Sequence, residues 1–244
     1  MIEVHWDGPI ASIVLARGGA RNAVPIAGWE QLADTARTLD AARVVVLQSA
    51  MPDMFSAGAD IAQFNDLQAD PALRSRFRKA MRGAMDALAA LPMPVLAAVD
   101  GGCFGAAVAL VLAADLRIAG DAAQFAVTPA RLGLGYPRQD VARLTRQVGR
   151  GRAAELLFTG EAIDADTAAA VGLVERRAPE AGVAAMALAR RIAENAPDAV
   201  RQLKQALTRP DDADLDTAFD AAFGGPELAE GLAAFQARRR PVFG

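Results

Sequence analysis

The chain of 244 residues contains one cysteine, one histidine, one tyrosine and two tryptophans, and aromatic residues make up only 5% of it. Each shortage removes a class of chemistry. A single cysteine cannot close an internal disulfide, so the fold rests on burial and hydrogen bonding. Cys103 has no basic neighbour in sequence to lower its pKa and reads as a small core residue. One histidine is too few for a His-based metal site, and His5 lies in an alternating N-terminal segment that suits a surface or structural role better than a Ser-His-Asp triad. No metal is expected. The formal net charge of −3 gives no broad attraction to nucleic acid or to an anionic membrane. The longest apolar run, Gly101 to Ala114, is bounded by Asp100 and Asp115 and falls short of the ~20 residues that span a bilayer. Met1 to Asp7 lacks the pattern of a secretory signal, and a cytoplasmic setting is expected. Gly133-Leu134-Gly135-Tyr136 lacks the remaining spacing of a dinucleotide fingerprint, and no glycine loop ends in a phosphate-binding lysine. Neither a nicotinamide cofactor nor a nucleoside triphosphate is indicated.

What is abundant is apolar material, 53% of the residues, enough for the core of one large domain. Ile2–Trp6 and Ile10–Leu15 flank Asp7-Gly8-Pro9, the pattern of a hairpin. Helical spacing from Pro25 to about Asp40 leads into a continuous apolar strand, Val44–Leu47. A long helix over Pro71–Ala90 leads into a second, Val95–Val99, and a helix from about Ala106 to Ala114 into a third around Leu116–Ala119. This alternation predicts an α/β fold with largely parallel, buried strands, whose ligands sit at the carboxyl ends of strands. From about Asp140 the pattern turns helical, with Asp140 itself expected as an N-cap. The expected division is a core over residues 1–190 and a helical C-terminal region over 191–244.

Two segments carry the chemistry. Phe55-Ser56-Ala57-Gly58-Ala59-Asp60-Ile61 and Asp100-Gly101-Gly102-Cys103-Phe104-Gly105-Ala106-Ala107 are turns built from residues without bulk. The bland reading of the first is an ordinary glycine turn with an aspartate cap. The sharper one is that two backbone N–H groups converge on a carbonyl oxygen and stabilise negative charge there. No acid, base or nucleophile lies between Ala106 and Ala114.

These turns stand in a longer series: Arg21-Asn22-Ala23, Pro94 to Gly101, Ala114-Asp115-Leu116-Arg117-Ile118-Ala119, Phe125-Ala126-Val127-Thr128-Pro129, Leu156 to Gly160, Ala168 to Val174, Glu230 to Phe235 and Arg240-Pro241-Val242-Phe243. In order and spacing the series resembles the enoyl-CoA hydratase/isomerase (crotonase) superfamily over nearly the whole chain. The resemblance implies a spiral of ββα units, a helical C-terminal region that makes trimers or dimers of trimers, and an acyl-CoA thioester as ligand, with no cofactor beyond its CoA moiety. It implies that the N–H groups of Ala59 and Ala106 form the oxyanion hole and that Ala57, Asp60 and Ile61 line the adenine and pantetheine path, mainly through backbone.

Hydratases of this superfamily carry two glutamates at positions that here are Ala109 and Pro129. Adding water to an enoyl thioester needs a base and an acid, each worth ~10²–10⁴-fold, so efficient hydration is not expected. Thr128-Pro129 with Tyr136 is similar to the corresponding stretch of methylmalonyl-CoA decarboxylases, although those have a histidine at the place of Ala59 and a glutamate at that of Ala109. Decarboxylation needs an enolate stabiliser more than a base. Tyr136 reads either as a phenol that orients the acyl group or as a wall residue, and Arg138 either as a partner for an acyl carboxylate or as a solvated side chain. Arg238-Arg239-Arg240 reads equally as a phosphate contact or as a solvated helix end. Two rivals stand beside decarboxylation: an acyl-CoA-binding protein without catalysis, and an isomerase using Asp66 or Asp140.

Overall fold

The computed structural model describes residues 1–244 and begins with a hairpin, β1 (Ile2–Asp7) pairing antiparallel with β2 (Ile10–Leu15). There follow α1 (Ile26–Ala36), β3 (Val44–Ser49), β4 (Met54–Ser56), α2 (Phe64–Ala69), α3 (Pro71–Ala89), β5 (Val95–Val99), β6 (Gly102–Phe104), α4 (Ala106–Val111), β7 (Leu116–Gly120) and β8 (Gln124–Ala126). The remainder is α5 (Arg138–Thr159), β9 (Ile163–Asp164), α6 (Ala165–Ala170), β10 (Arg176–Ala178), α7 (Ala181–Ala193), α8 (Pro197–Thr208), α9 (Asp214–Ala222) and α10 (Pro226–Gln236).

The strands form two sheets. The larger has the order β1-β2-β3-β5-β7-β10 and is parallel throughout after the initial hairpin. Its central strands are buried on both faces, which is why Val44–Leu47 and Val95–Val99 read as unbroken apolar runs. Alternation still sorts them. Val44, Val46, Leu96 and Ala98 pack with Ala181, Ala185, Leu188 and Ala189 of α7, whereas Val45, Leu47, Val95 and Ala97 join the main core with α1, α3 and α4.

The smaller sheet, β4-β6-β8-β9, is made of strands two or three residues long, too short for hydrophobic periodicity to announce. Its strands β4, β6 and β8 are parallel and in neighbouring positions. Their carboxyl ends therefore lie side by side and release three loops at one place.

Helix boundaries depart from the sequence reading in two places, each with a local cause. Leu112 to Ala114 continue α4 as tight turns with three-residue hydrogen bonds, Ala113 N–H to Leu110 O and Ala114 N–H to Val111 O, both 3.1 Å. Gly149 takes φ +76°, ψ 160°, so α5 is two helices meeting at a kink, as expected from separate helical patterns over Asp140–Val148 and Gly151–Phe158. Asp140 is not an N-cap. Pro137 holds that position, and Asp140 sits in the first turn of α5, 2% exposed, with its carboxylate 3.4 Å from Arg143.

The C-terminal helices α8, α9 and α10 are largely peripheral and leave Leu207, Phe219, Phe223 and Phe235 exposed. One buried polar contact ties them to the core. Lys204 of α8 is 6% exposed and donates to Asp115 Oδ2 at 2.7 Å and to the Met93 carbonyl at 3.0 Å. The same Asp115 oxygen accepts from the Val95 N–H at 2.7 Å, so the lysine meets the sheet where the chain enters β5 and β7. Lys204→Met leaves both acceptors without their cation and is expected to lower stability by about 1–3 kcal/mol in denaturant unfolding.

Candidate active site

The first wall of the site is the turn after β4, and a set of backbone-directed hydrogen bonds fixes its path. Asn22 is 2% exposed and donates from its side-chain amide to the Phe55 carbonyl at 3.1 Å and to Ser49 Oγ at 2.8 Å, while its Oδ1 accepts from the Arg17 N–H at 2.7 Å. Ser56 Oγ donates to the Asn22 carbonyl at 2.7 Å and accepts from the Gly58 N–H at 3.0 Å. A parallel bridge between Val24 and Ala59 runs through the Gly58 carbonyl, which accepts from Val24 N–H at 2.7 Å, and the Asp60 N–H, which donates to Val24 O at 3.1 Å. In such a bridge the residue between the two bonded neighbours points its own N–H away from the partner strand. The Ala59 N–H is therefore directed out of the ladder, away from Val24.

The second wall is the turn from β6 into α4. Gly105 takes φ +54°, ψ −121° as the residue before the helix, and Ala106 is its first residue, where the N–H has no intrahelical acceptor. The two turns touch. A Cβ built on Gly58, whose φ is +91°, would lie 2.5 Å from the Phe104 carbonyl oxygen and 2.9 Å from the Ala106 nitrogen. Only a residue without a side chain lets the two backbones approach this closely.

Around them lies a cavity of about 250 Å³ lined by Ala57, Ala59, Gly105 and Ala106, by Ile61, Phe64, Phe77, Arg78 and Met81, and by Thr128, Pro129, Leu132 and the stretch from Leu134 to Pro137. Phe64 and Phe77 meet edge to face with ring centroids 6.2 Å apart and make one apolar side. The lining contains no aspartate, glutamate, histidine or cysteine. Arg78 and Tyr136 are its only ionisable groups.

Tyr136 is half-buried, and its hydroxyl donates to the Gly105 carbonyl at 3.0 Å. Burial pushes the Tyr136 pKa well above the usual value and the nearby Asp140 charge adds to this, with the Ala109 N–H opposing in part. The phenol is thus a neutral group leaning on the first turn of α4. Ala109 is fully buried, and Pro129 lines the cavity. Burial likewise raises the Asp140 pKa, against the lowering effect of Arg143. Asp140 lies behind the wall, outside the cavity lining.

The structure brings Ala57, Ala59, Ile61, Ala106, Thr128 and Tyr136 together around this one cavity. Asp60 is not among the lining residues. Its carboxylate accepts from Arg17 Nη1 at 2.7 Å and from the Ala62 N–H at 3.1 Å, so it braces the turn that carries Ala59. Asp66 lies on exposed α2, and Arg138 is exposed at the start of α5, outside the lining. Sequence reasoning missed the structural work of Asn22, Ser56 and Arg17, whose partners are distant in sequence. It also missed Arg78, whose only signal was a charge at the edge of the Phe77, Met81, Met85 stripe of α3.

Comparison with known proteins is consistent across the whole chain. The family model described as Enoyl-CoA hydratase/isomerase matches residues 7–244. Among curated relatives, the chain is 30% identical to the probable enoyl-CoA hydratase 2, mitochondrial, of Arabidopsis thaliana, over 100% of this chain and 81% of that protein. It is 36% identical to the putative enoyl-CoA hydratase/isomerase YngF of Bacillus subtilis, over 82% and 80%. Among solved structures, an enoyl-CoA hydratase/carnithine racemase from Magnetospirillum magneticum superposes with a TM-score of 0.94 at 33% identity, covering 100% of this chain and 95% of that one. An enoyl-CoA hydratase/isomerase family protein from Hyphomonas neptunium gives 0.95 at 31%, covering 100% and 97%.

The contact between the turns makes a direct prediction. Gly58→Ala is expected to lose about 1–3 kcal/mol of stability, because the new methyl strains the backbone and collides with Phe104 O and Ala106 N. Gly83→Ala is the control: its Cβ meets nothing within 4 Å in the middle of α3, and a gain of about 0.5–1 kcal/mol is expected. Denaturant unfolding of the two variants checks both signs.

Proposed function

Because this chain belongs to the enoyl-CoA hydratase/isomerase family, we propose that it binds an acyl-CoA thioester with the carbonyl oxygen between the N–H groups of Ala59 and Ala106, and stabilises the enolate formed there. The observation that carries this reading is the pair of small-residue turns held in contact at Gly58, each offering an N–H without an internal acceptor. Two preorganised donors favour the charged oxygen of an enolate over the neutral carbonyl, which is what lowers a barrier.

The favoured reaction is decarboxylation. In a malonyl-type thioester the bond between the α-carbon and the carboxylate breaks, its electron pair moves onto the thioester oxygen held by Ala59 and Ala106, and carbon dioxide leaves. The α-carbon then takes a proton from a water that enters as carbon dioxide departs. No step requires a carboxylate base, and none lines the cavity. The relatives' names speak of hydration, but hydration needs water activated by a base, and the alanine and proline at 109 and 129 supply none. Tyr136, held by Gly105, orients the acyl group as a neutral wall residue. The chemistry needs no cofactor beyond CoA itself, and we place it in the cytoplasm. The exposed apolar side chains of α8 to α10 support assembly into trimers, single or paired, through the helical C-terminal region. No helix is long and apolar enough to cross a membrane.

The test is to incubate the protein with malonyl-CoA, methylmalonyl-CoA and crotonyl-CoA and follow all three by mass spectrometry. Loss of carbon dioxide from a malonyl-type ester is expected, with crotonyl-CoA hydration at least about a hundredfold slower. Tyr136→Phe is expected to slow the decarboxylation, an effect that a binding protein without catalysis would not display. Rapid hydration of crotonyl-CoA with inert malonyl esters would contradict the proposal.

A further inference from the structure

Helix α3 carries cations along much of its length, and two of its arginines are engaged. Arg76 clamps Glu30 through two 2.8 Å bonds, and Arg82 donates to Asp86 at 2.5 Å. Arg78 lies between them in sequence, is exposed, and makes no ion pair. It is also the α3 cation that lines the cavity, flanked on the same wall by the apolar side chains of Phe77 and Met81. With Tyr136 neutral and tied to the Gly105 carbonyl, this guanidinium is the one positive charge in a cavity that holds no acid.

We propose that Arg78 receives a carboxylate carried by the acyl group, so that the site selects acyl-CoA esters whose acyl chain bears a second acid. The proposal rests on the acyl-CoA reading of the cavity and names the substrate class within it. A guanidinium presents paired N–H donors that match the two oxygens of a carboxylate, and an arginine without a protein acid is free to make that pair with a ligand. The surroundings argue for the acyl end of the ligand over its phosphates. One cation set among Phe77, Met81 and Leu132 suits a short chain ending in one charge, whereas the several phosphates of CoA call for more than one. The pairing also fits the missing base. An anchored acid fixes the acyl group in place while the carbonyl sits in the oxyanion hole, a task that elsewhere falls to side chains this cavity does not have. Two kinds of ester share this chemistry: malonyl types, with the acid on the α-carbon, and longer esters, with the acid at the chain end.

The experiment measures calorimetric affinities of the wild-type protein, Arg78→Gln and Arg78→Lys for malonyl-, succinyl- and glutaryl-CoA, for the neutral esters propionyl- and butyryl-CoA, and for CoA alone. The wild type is expected to bind at least one carboxylated ester about tenfold more tightly than its neutral counterpart. Arg78→Gln brings that ratio to about one, and Arg78→Lys keeps part of it. The chain length at which the preference peaks separates the malonyl arm from the longer arm. Neutral esters binding as well as carboxylated ones in the wild type would overturn the proposal while leaving the acyl-CoA reading standing. So would an equal loss of CoA itself in Arg78→Gln, which would assign the guanidinium to the phosphates. Failure of every ester to bind would remove both.

Discussion

The contact between the Gly58 backbone and the Ala106 amide is the constraint around which the rest of the site is arranged. It brings together two turns from separate parts of the chain, at a separation no side chain at position 58 would permit. Holding them there requires support from several directions. Asn22 and Ser56 tie the first turn to the loop after β2, the Arg17 and Asp60 pair braces its exit, and the β6 and β8 ladder extends through the Gly105 N–H to Ala126 O at 2.8 Å. The small parallel sheet matters because its three adjacent strands end together and deliver Ala59, Ala106 and Thr128 to one cavity.

In the proposed reading the site stabilises charge on an oxygen, and what reaction follows depends on the other groups within reach. Here those groups are a neutral phenol, a guanidinium and apolar walls. The Tyr136 hydroxyl is tied to the Gly105 carbonyl at the start of α4, and Ala109 in the same helix is fully buried. Asp140 shows the opposite arrangement: a buried acid held by Arg143 behind the wall, its charge felt by Tyr136 without access to the cavity. The resulting pocket favours steps in which the substrate carries its own leaving group or charge.

Much of the architecture was legible in the residues. The buried strands at Val44 and Val95, the long helix from Pro71 and the helical character of the C-terminal region all follow from apolar periodicity and helix starts. The second sheet was not, because strands of two or three residues carry no period and exist through pairing alone. The two turns stood out by composition. What positions them did not, since Asn22 meets Phe55 and Ser56 meets Asn22 across long stretches of chain. Asp60 illustrates this: its place in the motif gave no sign that its carboxylate braces the turn through Arg17 and the Ala62 N–H. Asp140 read as a cap and is instead a buried partner of Arg143, because Pro137 begins the helix three residues earlier.

The central claim is that the Ala59 and Ala106 N–H groups together hold a thioester carbonyl. A crystal structure with a bound, unreactive acyl-CoA thioester tests it most directly. The account predicts the carbonyl oxygen within about 3 Å of both nitrogens. A thioester bound with its carbonyl out of hydrogen-bonding reach of either nitrogen would contradict it.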